Sequence, residues 1–457
     1  MASFYRHAVA ARTALDHPNL RTGDGAECVV MTMNAKRRRA HDKLAALPGV
    51  RAVRRPVGPR RDFAGQAAQG DQEFDLFYVR TGRKSAHPLV MIPGGPGAAS
   101  IALYRGFRRH AATEGLDVIM VEHRGVGMSR HDDSGADLPP EALTIDQVVD
   151  DVAAVLDDAQ VQKAVIYGTS YGTYVAAGVG VRHPDRVHAM ILDSPVLSAR
   201  DIDAVREATR RLLWDGDNPE TADLAAKVRK LVDQDMLSPQ AAQLAAAVYG
   251  FAGPVLLRRQ LDLLLAGRRT LWSALDSGAR FLFERKAPYR HEPDLVGRIG
   301  YRELNYAAVP DGKPLDPAVA FREFATDTTE FEAEPFDLST EMPGFTWPTV
   351  IISGGRDLIT PPAVARRIAS LIPGAVLVNL ATAGHSAVDL RERAALDIIK
   401  ATCDGTSSGL PARAKKLDSA PGGLGVRVLI WGIAAAAAIE KAVPAVVPRT
   451  LQRVTAS

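Results

Sequence analysis

Cysteine is almost missing from this chain of 457 residues, which has two, Cys28 and Cys403, far apart and without metal-ligand spacing. That excludes a disulfide-built scaffold and a cysteine zinc site. It leaves two reduced thiols or a single long-range bridge. An excess of one charge is missing too, with Lys+Arg 56 against Asp+Glu 53, so the balance gives no reason to expect nucleic acid or an acidic partner. No N-terminal stretch joins a charged region to an apolar run and a small-residue cleavage site, as an export signal does. The expected compartment is cytoplasmic. Long apolar runs are short of what a membrane span needs, about 20 residues. The best of them, within 426–447, holds five alanines from Ala434 to Ala438 but is cut by Arg427, Glu440 and Lys441. Its reading is a helix that lies on a membrane surface or packs on protein.

What is present falls into five stretches. Residues 1–72 have little periodicity and carry a basic cluster from Lys36 to Arg61. Without interleaved aromatics they read as a solvated, partly disordered extension rather than a nucleic-acid or membrane arm. From Phe74 the rhythm is regular. Short apolar strands (Phe74 to Thr81, Pro88 to Ile92, Leu116 to Val121, Ala164 to Tyr167, Val187 to Leu192) alternate with helical patterns, one of them capped by Thr144. Such alternation predicts a parallel sheet covered on both faces. Residues 198–345 read as mostly helical, and strands return at Thr349 to Ser353 and Ala375 to Leu380. A helical cap is thus expected before the last two strands, over the strand ends where open sheets bind ligands. The division is 1–72 extension, 73–197 first core part, 198–345 cap, 346–403 second core part, and 404–457 linker with an apolar helix.

The chemistry centres on Gly168-Thr169-Ser170-Tyr171-Gly172, a Gly-x-Ser-x-Gly between a strand and a helix. Such a turn stands a serine hydroxyl clear of the sheet. A serine needs a base to take its proton and a carboxylate to orient that base. Asp357, in Gly354-Gly355-Arg356-Asp357, and His385, in Ala383-Gly384-His385-Ser386, each follow a predicted strand and come in the order Ser, acid, His. Each alone has a plainer role: Ser170 or Asp357 as a helix cap, His385 as a loop histidine. Together they predict a triad. The N–H of Tyr171 and that of Gly95, in Gly94-Gly95-Pro96-Gly97, are the expected oxyanion donors, since Pro96 has none to offer.

Gly94 to Gly97, Arg124-Gly125-Val126-Gly127-Met128-Ser129, and Tyr167 to Thr173 resemble motifs of the prolyl and tripeptidyl aminopeptidase family of α/β-hydrolases. Arg182 to Val187 and Ile191-Leu192-Asp193 look like its tripeptidyl-type members. The resemblance covers roughly Phe74 to Pro411 in layout. Pro93 replaces the family's His, and Glu122-His123 replace its Asp-Gln. The resemblance implies an α/β-hydrolase fold, no cofactor or metal, and acidic cap residues that hold a substrate ammonium group; Glu303 is the one named for that here. The resulting expectation is a serine aminopeptidase that forms an acyl-enzyme on small peptides. A carboxylesterase with the same triad and a catalytically silent binding protein are the alternatives. No specific nucleic-acid partner is expected, and 426–447 is the expected site of any peripheral membrane contact.

Overall fold

Period-two alternation decides where each strand buries its side chains. In the strand Glu73–Thr81, Phe74, Leu76 and Tyr78 enter one apolar cluster while Phe77 and Val79 enter a second. Ile119 and Val121 against Val118 and Met120 repeat the division two strands later. Both faces are therefore apolar and both are covered. The helices Ile145–Asp158, Tyr171–Arg182 and Pro362–Leu371 contribute to the first cluster, Arg105–Thr113 and Glu392–Cys403 to the second. Each fully buried Leu, Ile or Val adds about 1.5–3 kcal/mol.

The computed structural model describes residues 33–58, 60–61, 67–68, 72–284, 287–325 and 330–443. Its main sheet has eight strands: β1 (Val50–Pro56), β2 (Glu73–Thr81), β3 (Leu89–Ile92), β4 (Val118–Val121), β5 (Ala164–Thr169), β6 (Val187–Asp193), β7 (Thr349–Gly354) and β8 (Val376–Leu380). They lie in the order β1-β2-β4-β3-β5-β6-β7-β8. β2 runs antiparallel to β1 and β4, and every other pair is parallel. This is the α/β-hydrolase fold. Because β3 to β8 all point one way, the loops after Ile92, Val121, Thr169, Asp193, Gly354 and Leu380 open on one edge of the sheet.

Between β6 and β7 come the helices Asp201–Arg210, Ala222–Asp233, Pro239–Leu265, Thr270–Glu284, Pro293–Leu304 and Pro317–Phe324. Leu224, Val228, Leu231, Leu257 and Leu261 give this insertion an apolar cluster of its own. Pro239–Leu265 breaks at Gly253, whose φ of 81° precedes Pro254. A Cβ at Gly250, one turn earlier, would come 3.3 Å from the carbonyl oxygen of Arg356. The insertion therefore touches the loop that follows β7.

The basic N-terminal stretch departs from its expected place outside the fold. Val50–Pro56 is the edge strand β1, in register with β2 from Val50 opposite Val79 to Pro56 opposite Glu73. Two of its three cations are matched by acids elsewhere in the chain. Arg54 bonds Asp75 and Asp133 at 2.9 Å each, and Arg55 bonds Asp151 at 2.9 Å. The helix Ala35–Ala45 sends Arg37 to Glu292, with Nη2 3.0 Å from Oε2. Expected disorder there came from counting cations without their partners. Residues 1–32, with Cys28, lie outside the described residues. Cys403 carries no disulfide, and burial pushes its thiol up to about 11.

Candidate active site

Close backbone approach sets up the turn at Ser170. A Cβ on Gly168 would lie 2.2 Å from the carbonyl oxygen of Gly172, and one on Gly172 would lie 2.2 Å from that of Ile92. Only glycine fits at either position. Ser170 itself has φ 52° and ψ −125°, a strained backbone that costs of order 1–3 kcal/mol and persists only where its surroundings over-determine it. They do: the Ser170 N–H donates to Asp193 O at 2.9 Å, and its carbonyl accepts from the Thr173 N–H at 2.9 Å and the Thr173 hydroxyl at 2.6 Å.

Asp357 and His385 meet. The ring Nδ1 lies 2.9 Å from Asp357 Oδ2. The carboxylate also accepts the N–H groups of Ile359 and Thr360 at 2.8 and 2.9 Å and the Thr360 hydroxyl at 2.9 Å. Burial favours the neutral acid, but the His385 charge and these donors outweigh it and hold Asp357 below its usual range. Burial likewise opposes a charged His385. The Asp357 carboxylate overcomes that, with help from Asp193 and Asp389, and raises the imidazole above its usual value. With Nδ1–H donated to Asp357, Nε2 is the nitrogen left for a proton from elsewhere.

Ser170 and His385 are not hydrogen-bonded to each other, but the residues beside them are. Thr169 Oγ1 donates to Ser386 Oγ at 3.1 Å, and the Ser386 N–H donates to Ser194 Oγ at 2.9 Å. Asp193, at the end of β6, accepts the N–H groups of Ala387 and Val388 at 3.0 and 3.1 Å and the Tyr167 hydroxyl at 2.6 Å. This buried network spans the gap between the serine turn and the histidine loop. Ser194, Ser386 and Asp389 were given no role from the sequence, and Asp193 entered only as part of the Ile191-Leu192-Asp193 resemblance. The available signal was Asp193, an acid closing the apolar run Ala189 to Leu192 at the sheet edge that carries the site.

Gly94 packs on Ser170, with an added Cβ placed 3.1 Å from the Ser170 Cβ. The N–H groups of Gly95 and Tyr171 donate to no group among the described residues. Two unspent backbone donors beside a serine turn suit a ligand oxygen better than solvent-free burial. The Tyr171 hydroxyl lies 3.1 Å from Nε2 of His123, whose Nδ1 lies 2.5 Å from Arg124 O. Burial lowers His123 to about 4, so it is neutral: Nδ1–H donates to Arg124 O and Nε2 accepts from Tyr171. Pro93, Gly94, His123 and Tyr171 share the lining of one small cavity. Glu122, where the resembled family has Asp, accepts the N–H groups of Ser100, Ile101 and Met128 and is pushed up to about 7 by burial.

Glu303, expected to hold a substrate ammonium group, has partners within the protein. Its Oε2 accepts the Ile145 N–H at 2.8 Å, at the start of the helix Ile145–Asp158, and its Oε1 pairs with the Arg302 guanidinium. Both oxygens hold protein donors and the Arg302 cation already balances the charge, with the side chain 9% exposed. Among the described residues no group of three or more His, Cys, Asp or Glu is arranged to hold a metal ion.

Residues 87–235 match the family model described as the alpha/beta hydrolase fold. A proline iminopeptidase of Arabidopsis thaliana is 25% identical over 120 residues, 26% of this chain and 29% of that enzyme. The chain thus spans under a third of that relative's length. The rhodomycin D methylesterase DauP of a Streptomyces species, strain C5, is 26% identical over 314 residues, 69% of this chain and 90% of the relative. Among solved structures, Est816, titled an N-acyl homoserine lactone degrading enzyme, superposes with a TM-score of 0.42 at 19% identity, covering 72% of this chain and 96% of that one.

Proposed function

We propose that this chain, which has the α/β-hydrolase fold and is similar to proline iminopeptidases, is a serine hydrolase acting through Ser170. The observation that carries the reading is the 2.9 Å bond between Asp357 and His385 at the same sheet edge as the strained Ser170 turn. In the reaction, Ser170 Oγ attacks a substrate carbonyl carbon while His385 Nε2 takes its proton. Asp357 stabilises the imidazolium. The Gly95 and Tyr171 N–H groups receive the oxyanion. As the tetrahedral intermediate collapses, the bond to the leaving group breaks and His385 returns the proton to it. Water then cleaves the acyl-enzyme by the same steps, with His385 again as base. No cofactor enters.

The leaving group separates two versions. An aminopeptidase, which releases N-terminal residues from peptides, is supported by the motif resemblance and by the iminopeptidase match. A carboxylesterase acting on small esters is supported by the match along 90% of a methylesterase and by the commitment of Glu303 inside the protein. Against a silent binding protein stands the Asp357–His385 bond at the same sheet edge as the strained Ser170.

A fluorophosphonate probe should label the wild type and leave Ser170→Ala unlabelled. A folded wild type that resists the probe would end the hydrolase reading. Aminoacyl-p-nitroanilides compared with p-nitrophenyl esters then separate the two versions. Turnover that is indifferent to blocking the substrate's α-amine excludes the aminopeptidase.

A further inference from the structure

The helix Leu424–Ala442 has two unlike faces. Val426, Ile430, Ile433 and Ala437 recur at helical spacing on the side facing the protein, where Ala437 is buried. That side rests on the cap helices Pro239–Leu265 and Thr270–Glu284. Glu440 clamps it there, with its carboxylate accepting the N–H groups of Thr270 and Leu271 at 2.8 and 2.9 Å. Arg268 adds a bond to Val443 O at 2.6 Å.

The opposite face is apolar and open. Leu424, Val428, Trp431 and Ile439 follow one another along it, 74%, 58%, 68% and 65% exposed. A single exposed leucine is ordinary, but a row of four on one helix face, with an exposed tryptophan among them, is not. The helix is not long and apolar enough to cross a membrane. Arg427 and Lys441 flank the row, and the Arg427 guanidinium lies 5.8 Å from the centre of the Trp431 ring.

Charge decides what covers this face. From residue 410 to the last residue, 457, the sequence has seven Lys and Arg against two acids, Asp418 and Glu440. Both acids are taken: Asp418 accepts the Thr382 N–H at 3.0 Å, and Glu440 holds Thr270 and Leu271. A second copy of the chain would bring like cations together around the row. Anionic lipid headgroups would meet cations, while the acyl region took the apolar side chains and tryptophan sat at the boundary.

We propose that the helix Leu424–Ala442 docks this protein in the plane of an anionic lipid bilayer, with Leu424, Val428, Trp431 and Ile439 inserted and Arg427 and Lys441 on the phosphates. The cap helix Pro239–Leu265 carries this helix and also contacts the loops of Asp357 and His385: a Cβ on Gly384 would lie 2.2 Å from Gly250 O. Docking therefore holds the cap of the site at the lipid surface. The proposal does not rest on the reaction assigned to Ser170.

Flotation of the full-length protein with phosphatidylcholine vesicles, with and without phosphatidylglycerol, tests it. Partitioning should be about tenfold stronger with the anionic lipid and should fall at high salt. The pair Val428→Asp and Ile439→Asp should abolish it while the circular dichroism spectrum and Tm stay as in the wild type. Should that pair unfold the helix, Arg427→Glu with Lys441→Glu should still remove the preference for phosphatidylglycerol. Equal or absent partitioning into both vesicles overturns the proposal. So does a dimer, seen by sedimentation equilibrium, that the aspartate pair breaks without any vesicle binding in the wild type.

Discussion

Asp193 accepts the N–H of Ala387 at 3.0 Å, joining the end of β6 to the turn just past His385 across 194 residues of sequence. The same carboxylate holds the Val388 N–H and the Tyr167 hydroxyl. Asp193 touches no reacting atom in the proposed chemistry. It positions the loop that carries the base.

Asp193→Asn keeps the side chain's size but turns an amide NH₂ toward a donor. We expect kcat to fall on the order of tenfold to a hundredfold through misplacement of His385, with KM nearly unchanged. Because the Asp193 charge helps to raise His385, the acidic limb of kcat/KM should also move to lower pH. A loss of stability without movement of that limb would make Asp193 merely structural.

For Asp357→Asn the expected loss in kcat is about 10³–10⁴, by the behaviour of triads in which the base loses its orienting acid. Steady-state kinetics on whichever ester or anilide the wild type turns over measure it. A loss under about tenfold would place the acid elsewhere.

The pH dependence follows from the same pair. In the proposed reaction His385 acts only when neutral, so kcat/KM should fall as pH drops through a value above 6.5. For stability the signs are opposite at the two groups. The raised His385 contributes stability in full below 6.5 and loses it as pH rises through the folded value. The depressed Asp357 contributes above 3.8 and loses it as pH falls through its folded value. Urea denaturation should show the stability difference between wild type and His385→Ala to be largest between those limits. A difference that is flat across this range would count against the ion pair.

Gly172→Ala would drive a methyl group into Ile92 O and Pro93 O, at 2.2 and 2.6 Å. Neither backbone atom can swing aside. Destabilisation of about 1–3 kcal/mol, or more, should appear in denaturation. Fluorophosphonate labelling should slow even though Ser170 is intact, because the strained turn moves against the Gly94-Gly95 loop.

Arg124 is completely buried and holds Asp151 through two bonds, at 2.6 and 2.7 Å, while Arg55 of β1 makes a third. Asp151→Ala leaves the Arg124 cation unpaired and should cost about 3–5 kcal/mol. Arg55→Ala leaves the main pair standing and should cost about 1 kcal/mol or less. Similar losses from the two would mean that β1 carries more of the fold than this network implies.

Much of the site was legible because its signals are local. Ser170 sits between glycines that a tight strand-to-helix turn demands, and Asp357 and His385 each follow a short apolar strand. A parallel sheet sends all such loops to one edge, so chain order alone brought the three side chains to the same side. The core strands were likewise readable, since alternation and length are properties of a few consecutive residues.

Elsewhere the partner, not the residue, carried the information. Glu303 looked like a free acid until Ile145 N–H and Arg302 were found on it, and Arg54 and Arg55 of β1 looked unpartnered until Asp75, Asp133 and Asp151 met them. The link from Asp193 to the histidine loop is of the same kind. By itself the sequence determined the strand rhythm, the serine turn and the placing of Asp357 and His385 just past apolar strands, because each depends on a few consecutive residues. Tertiary structure alone decided which carboxylates are spent on protein donors, because a hydrogen bond between residues far apart in the chain, such as Ile145 with Glu303 or Ala387 with Asp193, leaves no local trace.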